Sequence, residues 1–430
     1  MHARLRGVRL WVVLACSSIA CGGAAPEVAA PRAAAEVREQ VRAKGDTTPS
    51  RADDVSLESV LTDAEGVGPL LPQAEALRFQ VLVGIPSERD GKPVLERKSY
   101  RVDAEYFYPA SAIKLCAAVL ALEKLADLRR DNPGLALDTQ TPMRLYDPIT
   151  RRPDERDLSD VKRFKISLGQ EIRKALIVSD NMAFTRLYDF VGFDETFDRL
   201  SLMGFRATRI RHRLTVPPGD PRESPRMELL SAGAPPLNVP ARRGTREVWP
   251  LEMPGLLVGE ARIDDQGRRI PEPMSFADRN RVSLQDLQEW MVRIARPELA
   301  SGEALHIDDE SRQVLMDALV TLPSESKNPV FERTRTFDEM QKPLLPAFAA
   351  ALPGDRVRIY SKAGRAYGFM VENAYVVDET TRRAVFLTAV VYANSNQVIN
   401  DDQYDYDRVG GPLLVGVAKA VAKRWLAPPK

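Results

Sequence analysis

Segments that favour β-strands lie near both ends of this 430-residue chain and are separated by a long, mostly helical middle. Two of them, Phe79–Ile85 and a segment around Lys98–Val102, come early. Three more, Val357–Ser361, Gly368–Val377 and Ala384–Tyr392, come late. Short runs rich in β-branched and aromatic residues indicate strands, and strands need partners. The pattern therefore predicts an α/β fold with one mixed antiparallel sheet that is built from both chain ends and flanked by helices.

Helical periodicity fills most of the middle of the chain. After Ala110, apolar or long side chains recur at spacings of three and four, at Ile113, Ala117, Leu120, Lys124 and Leu128. Further helices are predicted at Ser56–Thr62, Leu168–Ile177, Asn181–Phe190, Leu284–Ile294 (with Ser283 as N-cap) and from about Pro412 to Trp425. We therefore expect an inserted, mainly helical lobe over residues 130–340, with a ligand cleft between this lobe and the sheet.

A proline-rich insertion, residues 215–275, interrupts this lobe. Eleven prolines lie between Pro217 and Pro273, and long apolar runs are few there. The composition predicts mostly loop, and a loop of this length is usually functional or mobile.

The N-terminus has the pattern of an export signal. Arg4, Arg6 and Arg9 precede an apolar stretch, Leu10–Ala20, which is too short to cross a bilayer. Residues 1–20 are therefore predicted to be a signal peptide. Small residues lead into Cys21, as at a bacterial lipoprotein processing site, so we expect lipidation of Cys21. Two alternatives remain open, namely processing at Cys16 and ordinary secretion that removes both cysteines.

Residues 21–57 show no sustained apolar periodicity and are predicted to be a flexible tether, followed by the folded domain at 58–430. We expect an exported protein in the periplasm or outer cell envelope, in contact with the membrane only through its N-terminal lipid anchor. Cys116 would then be the only certain cysteine of the mature chain, so no intramolecular disulfide is expected.

The composition argues against several other classes of function. There are 61 basic and 60 acidic residues, so no global field would attract nucleic acid. The three histidines, His2, His212 and His306, lie far apart, and no Cys-x-x-Cys or His-Glu-x-x-His spacing occurs. No Gly-x-x-x-x-Gly-Lys loop is present. We therefore expect no nucleic-acid partner, no metal and no other cofactor.

The first motif that carries chemistry is Ser111-Ala112-Ile113-Lys114, at the start of the helix that follows Pro109. Residues three apart share a helix face, so the lysine amine can reach and activate the serine hydroxyl. The spacing alone is a weak signal, since Ser159-x-x-Lys162 and Ser324-x-x-Lys327 share it in more polar surroundings. A serine that merely starts a helix is the alternative interpretation.

Two further motifs follow in the chain. Ser179-Asp180-Asn181 lies between two predicted helices, where the same residue types also serve as helix caps. Lys362-Ala363-Gly364 lies at the end of a predicted strand. A lysine there can bind a substrate carboxylate, and small neighbours let a substrate lie along the strand edge. The alternative is a surface lysine in a hairpin connection.

Taken together, Ser-x-x-Lys, Ser-Asp-Asn and Lys-x-Gly occur in the order described for class A β-lactamases and penicillin-binding proteins. From about Ser56 to the C-terminus the chain resembles this family of penicillin-recognising serine hydrolases. The resemblance implies a β-lactamase/transpeptidase-like fold and an acyl-enzyme mechanism on amide bonds. It implies the following roles: Ser111 as nucleophile, Lys114 as its proton acceptor, Ser179 as proton relay, Asn181, Lys362 and Gly364 in substrate binding, and the backbone N–H groups of Ser111 and Arg365 as oxyanion hole.

Two departures from the family pattern matter. Ala363 stands where the family usually has Thr or Ser, as in an outlying branch known simply as serine hydrolases. Class A enzymes also use a loop glutamate ahead of a Pro-Gly-Asp segment to activate the deacylating water. Here Pro218-Gly219-Asp220 is recognisable, but the run Arg209–Val216 contains no acid. Glu223 and His212 are the candidate substitutes.

Three functions are therefore expected to be compatible with the sequence. The first is β-lactam hydrolysis, and the second is a D,D-peptidase or esterase activity with slow β-lactam turnover. The third is a binding lipoprotein on a catalytically weak fold. The expected partner is a small molecule, either a β-lactam or a D-Ala-D-Ala-like peptide, and we expect a monomer.

Overall fold

The computed structural model describes residues 55–427 except 215–219, 248–251, 332–333 and 353–355. The predicted signal peptide, with Cys16 and Cys21, lies outside the described residues. The helices are α1 (Leu57–Thr62), α2 (Lys114–Asp131), α3 (Leu168–Ile177), α4 (Asn181–Val191), α5 (Phe193–Leu202), α6 (Leu284–Ala295), α7 (Asp309–Val320), α8 (Arg335–Gln341), α9 (Leu345–Ala351) and α10 (Gly411–Val421). None of these helices is both long and apolar enough to span a bilayer.

The strands are mostly short outside the two chain ends. They are β1 (Gln80–Arg89), β2 (Lys92–Tyr100), β3 (Met143–Tyr146), β4 (Pro153–Asp154), β5 (Glu223–Ser224), β6 (Met227–Leu229), β7 (Leu237–Val239), β8 (Arg242–Arg243), β9 (Leu257–Val258), β10 (Ala261–Ile263), β11 (Arg269–Ile270), β12 (Met274–Ser275), β13 (Val357–Ser361), β14 (Gly364–Ala366), β15 (Phe369–Asp378), β16 (Ala384–Tyr392) and β17 (Val398–Ile399).

The main sheet joins the two ends of the chain. Its strand order is β13-β15-β16-β1-β2, and β14 pairs with β15. Every one of these pairings is antiparallel, with Val83 opposite Leu387 in the central pair. The sheet is thus antiparallel rather than mixed, while the predicted union of early and late strands is confirmed. With helices on both faces, this is the β-lactamase/transpeptidase-like fold that the sequence predicts.

The sheet has an apolar core on each face. On one face Val81, Val83 and Ile85 of β1 pack with buried residues of α1, α9 and α10. On the other face α6 packs across β1, β15 and β16. There Asn373 donates a hydrogen bond to the backbone oxygen of Leu287 at 2.8 Å, so a polar side chain buried in the sheet keeps a partner.

The central helix α2 is buried from Lys114 to Leu125. It packs against α3 and α4 and carries the free thiol of Cys116, which is fully buried. A helix that is buried on all sides, as this stretch is, forms part of the core. Burial also raises the pKa of the Cys116 thiol. The start of α2 is consequently held in place by the packing of both its neighbours.

Most predicted elements agree with the observed ones, but the second strand does not. It was expected around Lys98–Val102, whereas β2 covers Lys92–Tyr100. The hairpin turn lies at Asp90 and Gly91, both with positive φ. Asp-Gly is a strong hairpin signal, and the charged residues of β2 suit a sheet edge.

The proline-rich insertion is fastened to both sides of the molecule, and its strands have at most three residues. On one side the Arg78 guanidinium donates to the backbone oxygen of Leu257 at 3.0 Å, and β10 pairs with β17. On the other side Arg242 donates to the backbone oxygens of Phe190 and Val191, at the end of α4. The predicted long loop therefore contains short strand pairs.

Candidate active site

Ser111 lies in a short 3₁₀ turn, Ala110–Ile113, that leads directly into α2. Ala110, just before it, has φ +47°, in the left-handed region that favours glycine. Such a conformation costs about 1–3 kcal/mol and persists only where the surroundings impose it. Because α2 is buried from Lys114 to Leu125, this turn presents Ser111 half-exposed at the start of an enclosed stretch of helix.

The Lys114 amine is the centre of the site. Its Nζ lies 2.9 Å from Ser111 Oγ, 3.0 Å from Ser179 Oγ and 2.6 Å from Asn181 Oδ1. It also donates to the backbone oxygen of Ser179. The side chain is fully buried. Burial holds the pKa of Lys114 well below its usual value, the cation of Lys362 lowers it further, and Asp180 opposes the shift.

The four oxygens around this nitrogen restrict its protonation. The Ser179 carbonyl and Asn181 Oδ1 can only accept hydrogen bonds, so together they use both N–H groups of a neutral amine. The nitrogen lone pair then remains for a serine hydroxyl to donate to. This arrangement fits a neutral Lys114 that accepts the Ser111 proton, and it agrees with the direction of the lysine pKa.

Ser179-Asp180-Asn181 serves as a helix cap and as part of the site at once. The Asp180 side chain accepts from the backbone N–H of Ala183 at 2.8 Å and caps α4. Ser179 has φ +61°, a second left-handed residue. This backbone directs Ser179 and Asn181 to Lys114, while Asp180 satisfies the helix terminus.

Lys362 directly follows β13, and its amine contacts the same serine hydroxyl as that of Lys114. Its Nζ donates to Ser179 Oγ and to the backbone oxygen of Ala363, at 3.0 and 2.9 Å. Ser179 Oγ therefore lies between two lysine amines. Burial lowers the pKa of Lys362 to about 7, and the carboxylate of Glu372 opposes the shift.

Gly364 allows the strand that follows Lys362 to approach the turn that carries Ser111. A Cβ at this position would lie 2.8 Å from the Ser111 nitrogen and 2.5 Å from the Pro109 oxygen. Any side chain would push the strand away from the turn. Next to it, the Arg365 guanidinium turns toward Asp407 at 3.9 Å and over the ring of Tyr406 at 5.4 Å.

The two candidate deacylation bases lie in different surroundings. Glu223 is exposed on β5, and its carboxylate accepts from Arg243 at 2.7 Å. His212 is half-buried, and its ring lies parallel to that of Tyr108, with centroids 6.3 Å apart. Its Nδ1 lies 2.7 Å from the Arg213 carbonyl oxygen, and burial lowers the pKa of His212 to about 4. Pro218 and Gly219 lie outside the described residues.

One ring nitrogen of His212, Nε2, can still accept a hydrogen bond. Since a carbonyl can only accept, Nδ1 must donate, and Nε2 carries the lone pair of the neutral ring. Within the described residues, Nε2 is buried and lacks a hydrogen-bond partner. Glu223, by contrast, is already paired.

The other two Ser-x-x-Lys pairs are engaged elsewhere. Ser159 donates to Asp157 at 2.6 Å and Ser324 to Asp338 at 2.5 Å. Lys162 and Lys327 are exposed. Among the described residues, Ser111 and Lys114 are the only one of the three pairs whose serine hydroxyl contacts its lysine amine.

Two buried charged residues beside the site had not been singled out from the sequence. Lys342 and Glu372 both lie close enough to act electrostatically on Lys362. A signal for Glu372 was present, because it is an acid within an otherwise apolar strand. Among the described residues, no group of three or more His, Cys, Asp or Glu side chains is arranged to hold a metal ion.

Comparison with known proteins places these residues in context. Residues 96–305 match the sequence model of the beta-lactamase enzyme family. This stretch is a little under half of the 430-residue chain. It contains Ser111, Lys114, Ser179 and Asn181 and ends before Lys362. A search of curated proteins found no match.

Several solved structures have similar folds. A β-lactamase from Burkholderia vietnamiensis is 15% identical, with a TM-score of 0.47, and the match covers 87% of this chain and 99% of that one. A mutant of PBP-A in an acyl-enzyme complex with penicillin G is 16% identical, with a TM-score of 0.46. That match covers 86% of this chain and 97% of the other. A β-lactamase from Xanthomonas campestris pv. campestris is 15% identical, with a TM-score of 0.45. That match covers 87% of this chain and 100% of the other.

Proposed function

We propose that this protein is a serine hydrolase that forms an acyl-enzyme through Ser111, with β-lactams as its substrate class. The observation that carries the proposal is the position of the Lys114 amine, within 3.0 Å of both serine hydroxyls and inside a buried pocket of neutral oxygens. The match of residues 96–305 to the beta-lactamase enzyme family supports the same chemistry.

The geometry suggests how acylation proceeds. Neutral Lys114 takes the Ser111 proton as Oγ bonds to the amide carbonyl carbon. The backbone N–H groups of Ser111 and Arg365 hold the developing oxyanion. Ser179 then gives its proton to the leaving nitrogen as the C–N bond breaks, and it regains a proton from Lys114. The single proton that Ser111 gives up ends on the leaving nitrogen, so the net result is an ester on Ser111, a neutral amine and a neutral Lys114.

Lys362 is proposed to bind the substrate carboxylate. Its amine lies beside Ser179 Oγ, so a carboxylate held there would place the scissile amide near Ser111. Ala363 adds no hydroxyl to this contact, and Asn181 is positioned to bind a substrate amide.

For deacylation, the surroundings favour His212 over Glu223 as the base that activates water. His212 is neutral, and the lone pair of Nε2 is unused, whereas Glu223 is exposed and paired with Arg243. We expect His212→Asn to slow deacylation by about 10²–10⁴-fold without changing acylation. Equal deacylation rates in both proteins would exclude His212.

A second candidate function is a D,D-peptidase with slow β-lactam turnover. The run Arg209–Val216, where class A enzymes carry their glutamate, contains no acid, and this favours it. An acyl-enzyme that no base helps to hydrolyse would persist.

Intact-mass spectrometry of the soluble domain with a chromogenic cephalosporin separates these functions. A transient adduct with continuing colour release indicates a β-lactamase, and a persistent adduct without turnover indicates the D,D-peptidase alternative. Ser111→Ala is the control and should form no adduct. If the unmodified protein forms no adduct with any β-lactam, the proposed substrate class is wrong.

We also propose export and lipid anchoring through Cys21. The support is the sequence pattern at residues 1–23. Radiolabelled palmitate should be incorporated into the full-length protein and into Cys16→Ala but not into Cys21→Ala. The reverse result would move the anchor to Cys16, and no incorporation in any of them would leave ordinary secretion.

A further inference from the structure

A buried asparagine, Asn280, holds the backbone of His212. Asn280 lies between β12 and α6 and is fully buried. Its Oδ1 accepts from the backbone N–H groups of Arg211 and His212, at 2.7 and 3.2 Å. Its Nδ2 donates to the carbonyl oxygen of His212 at 3.2 Å. One side chain therefore satisfies both backbone polar groups of His212.

The side chain of Asn280 extends a short backbone pairing toward His212. Arg209 and Arg281 form an antiparallel bridge, with N to O distances of 2.8 and 2.9 Å. Beyond this bridge the backbone of the His212 loop needs other partners, because buried N–H and C=O groups are costly to leave unpaired. A side-chain amide carries a donor and an acceptor side by side, as a peptide group does. Asn280 supplies these partners at His212.

The backbone of Asn280 is joined to the segment that leads to the nucleophile. Its carbonyl oxygen accepts from the hydroxyl of Tyr106, a buried residue, at 2.9 Å. Two residues further on, the ring of Tyr108 lies parallel to the ring of His212. His212 is therefore connected twice to one short segment, residues 106–108, through its backbone and through its ring. This segment ends three residues before Ser111.

The tautomer of His212 depends on the same loop backbone. The ring donates from Nδ1 to the carbonyl oxygen of Arg213, which is the next residue of the loop. This hydrogen bond places the proton on Nδ1 and leaves the lone pair on Nε2. A shift of the His212 backbone would change the position of the ring relative to this carbonyl. The state of Nε2 is therefore tied to the hydrogen bonds of Asn280.

We propose that Asn280 is a positioning residue for His212 in deacylation: it holds the loop backbone so that the ring stays beside Tyr108 with Nε2 ready to accept a proton. The inference rests on the proposed function in taking His212 as the base. Water gives one proton to Nε2 as its oxygen bonds to the ester carbonyl carbon. That proton then passes to Ser111 Oγ as the ester C–O bond breaks. The products are a carboxylic acid, free Ser111 and neutral His212.

The first test measures acylation and deacylation separately, with penicillin G and intact-mass spectrometry of the soluble domain. Asn280→Leu removes all three hydrogen bonds. It should slow deacylation by about 10- to 100-fold, because a displacement of about 1 Å in a catalytic group is enough for such a loss. Acylation should keep its original rate, since the contacts of Ser111 and Lys114 do not include Asn280.

Thr208→Val is the matched control. Thr208 is fully buried, lies four residues before His212, and its hydroxyl donates to Asp286 at 2.8 Å. The substitution removes an anchor of the same loop but no contact of His212. It should lower the free energy of unfolding and leave deacylation unchanged. Equal slowing in Thr208→Val and Asn280→Leu would show general loosening of the loop and overturn the inference.

Asn280→Asp gives an answer even if Asn280→Leu does not fold. It keeps an acceptor for the two backbone N–H groups and loses only the donor to the His212 carbonyl. One lost hydrogen bond should slow deacylation by about two- to tenfold, less than in Asn280→Leu. Deacylation at the original rate in Asn280→Asp contradicts the inference.

The second test observes the His212 ring directly and needs no substrate. Beyond residue 57 the sequence contains two histidines, His212 and His306, so long-range ¹H–¹⁵N NMR gives few signals, and His212→Asn assigns them. The spectrum is recorded about two pH units above the ordinary pKa of histidine, so that the rings are neutral.

We expect a protonated Nδ1 and an unprotonated Nε2 for His212 in the unmodified protein. In Asn280→Leu and Asn280→Asp the two nitrogen shifts should move toward the average of two exchanging tautomers, whereas Thr208→Val should leave them in place. Unchanged shifts in both Asn280 variants overturn the inference. Absence of acylation, or normal deacylation in His212→Asn, overturns the proposed function instead, and the ring spectrum still decides whether Asn280 positions His212.

Discussion

The two lysines of the site are both buried, yet their surroundings differ. Lys114 is enclosed by hydroxyl, carbonyl and amide oxygens. Lys362 contacts Ser179 and Ala363, and Glu372 acts on it electrostatically, opposing the lowering of its pKa by burial. A neutral cage favours the neutral amine, and a nearby anion favours the ammonium.

Because of this difference, the two lysines are suited to different chemical roles. Lys114 is suited to accept a proton, and Lys362 is suited to hold an anion. Ser179 Oγ lies 3.0 Å from each amine and can therefore relay a proton beside the bound substrate. Two of the experiments below replace one lysine and leave the other in place, one titrates both lysines, and one changes the neighbour of Lys362.

The largest effect is expected from Lys114→Met. Losing the proton acceptor should lower the acylation rate by about 10²–10⁴-fold. The folded protein should be at least as stable as before, because the change removes an ionisable group from a buried position. Stopped-flow acylation together with chemical denaturation measures both. A stable variant that still acylates at the original rate would assign the base elsewhere.

Lys362→Met should have a smaller and more selective effect. A hydrogen bond to a charged group contributes about 1.5–3 kcal/mol, so kcat/KM for penicillin G should fall by about 10- to 150-fold. The methyl ester of the same penicillin serves as the control and should be affected little. If both substrates lose activity equally, Lys362 does not bind the carboxylate.

The pH profile of kcat/KM should report the protonation of both lysines. Protonation of Lys114 removes the base, so the rate should fall about tenfold per pH unit on the acid side. On the alkaline side, Lys362, with a pKa of about 7, loses its charge, and only the carboxylate-bearing substrate should lose activity. The methyl ester should therefore lack the alkaline limb. A common alkaline limb for both substrates would argue against two separate roles.

The smallest effect is expected from Ala363→Thr. Restoring a hydroxyl next to Lys362 adds one hydrogen bond to the substrate carboxylate, so kcat/KM for penicillin G should rise by about two- to tenfold. Steady-state kinetics with the acid and its ester measure this gain. An equal gain for the ester would show that the hydroxyl acts on something other than the carboxylate.

Much of the fold was predictable because its signals are local. The helix Leu168–Ile177 and the strands Val357–Ser361 and Ala384–Tyr392 have the predicted bounds. The predicted N-cap Ser283 does accept from the backbone N–H of Asp286, at 3.0 Å. The seven-residue helices α8 and α9 were not predicted, since helices this short depend on tertiary packing.

The site was predictable only in part. Lys114 follows from helical spacing, but Ser179 and Lys362 are 183 residues apart, and no local pattern indicates that they meet. The prediction that they lie in one site came from the order of the three motifs along the chain. Lys342 and Glu372 belong to no motif, so only the folded chain shows that they act electrostatically on Lys362.

The most direct test of this account is to locate the residue that a β-lactam acylates. The soluble domain would be quenched soon after mixing with penicillin G, digested and analysed by peptide mass spectrometry. The account requires one adduct, on the peptide that contains Ser111, absent in Ser111→Ala and formed far more slowly in Lys114→Met. An adduct on another residue, or none in the unmodified protein, would contradict it.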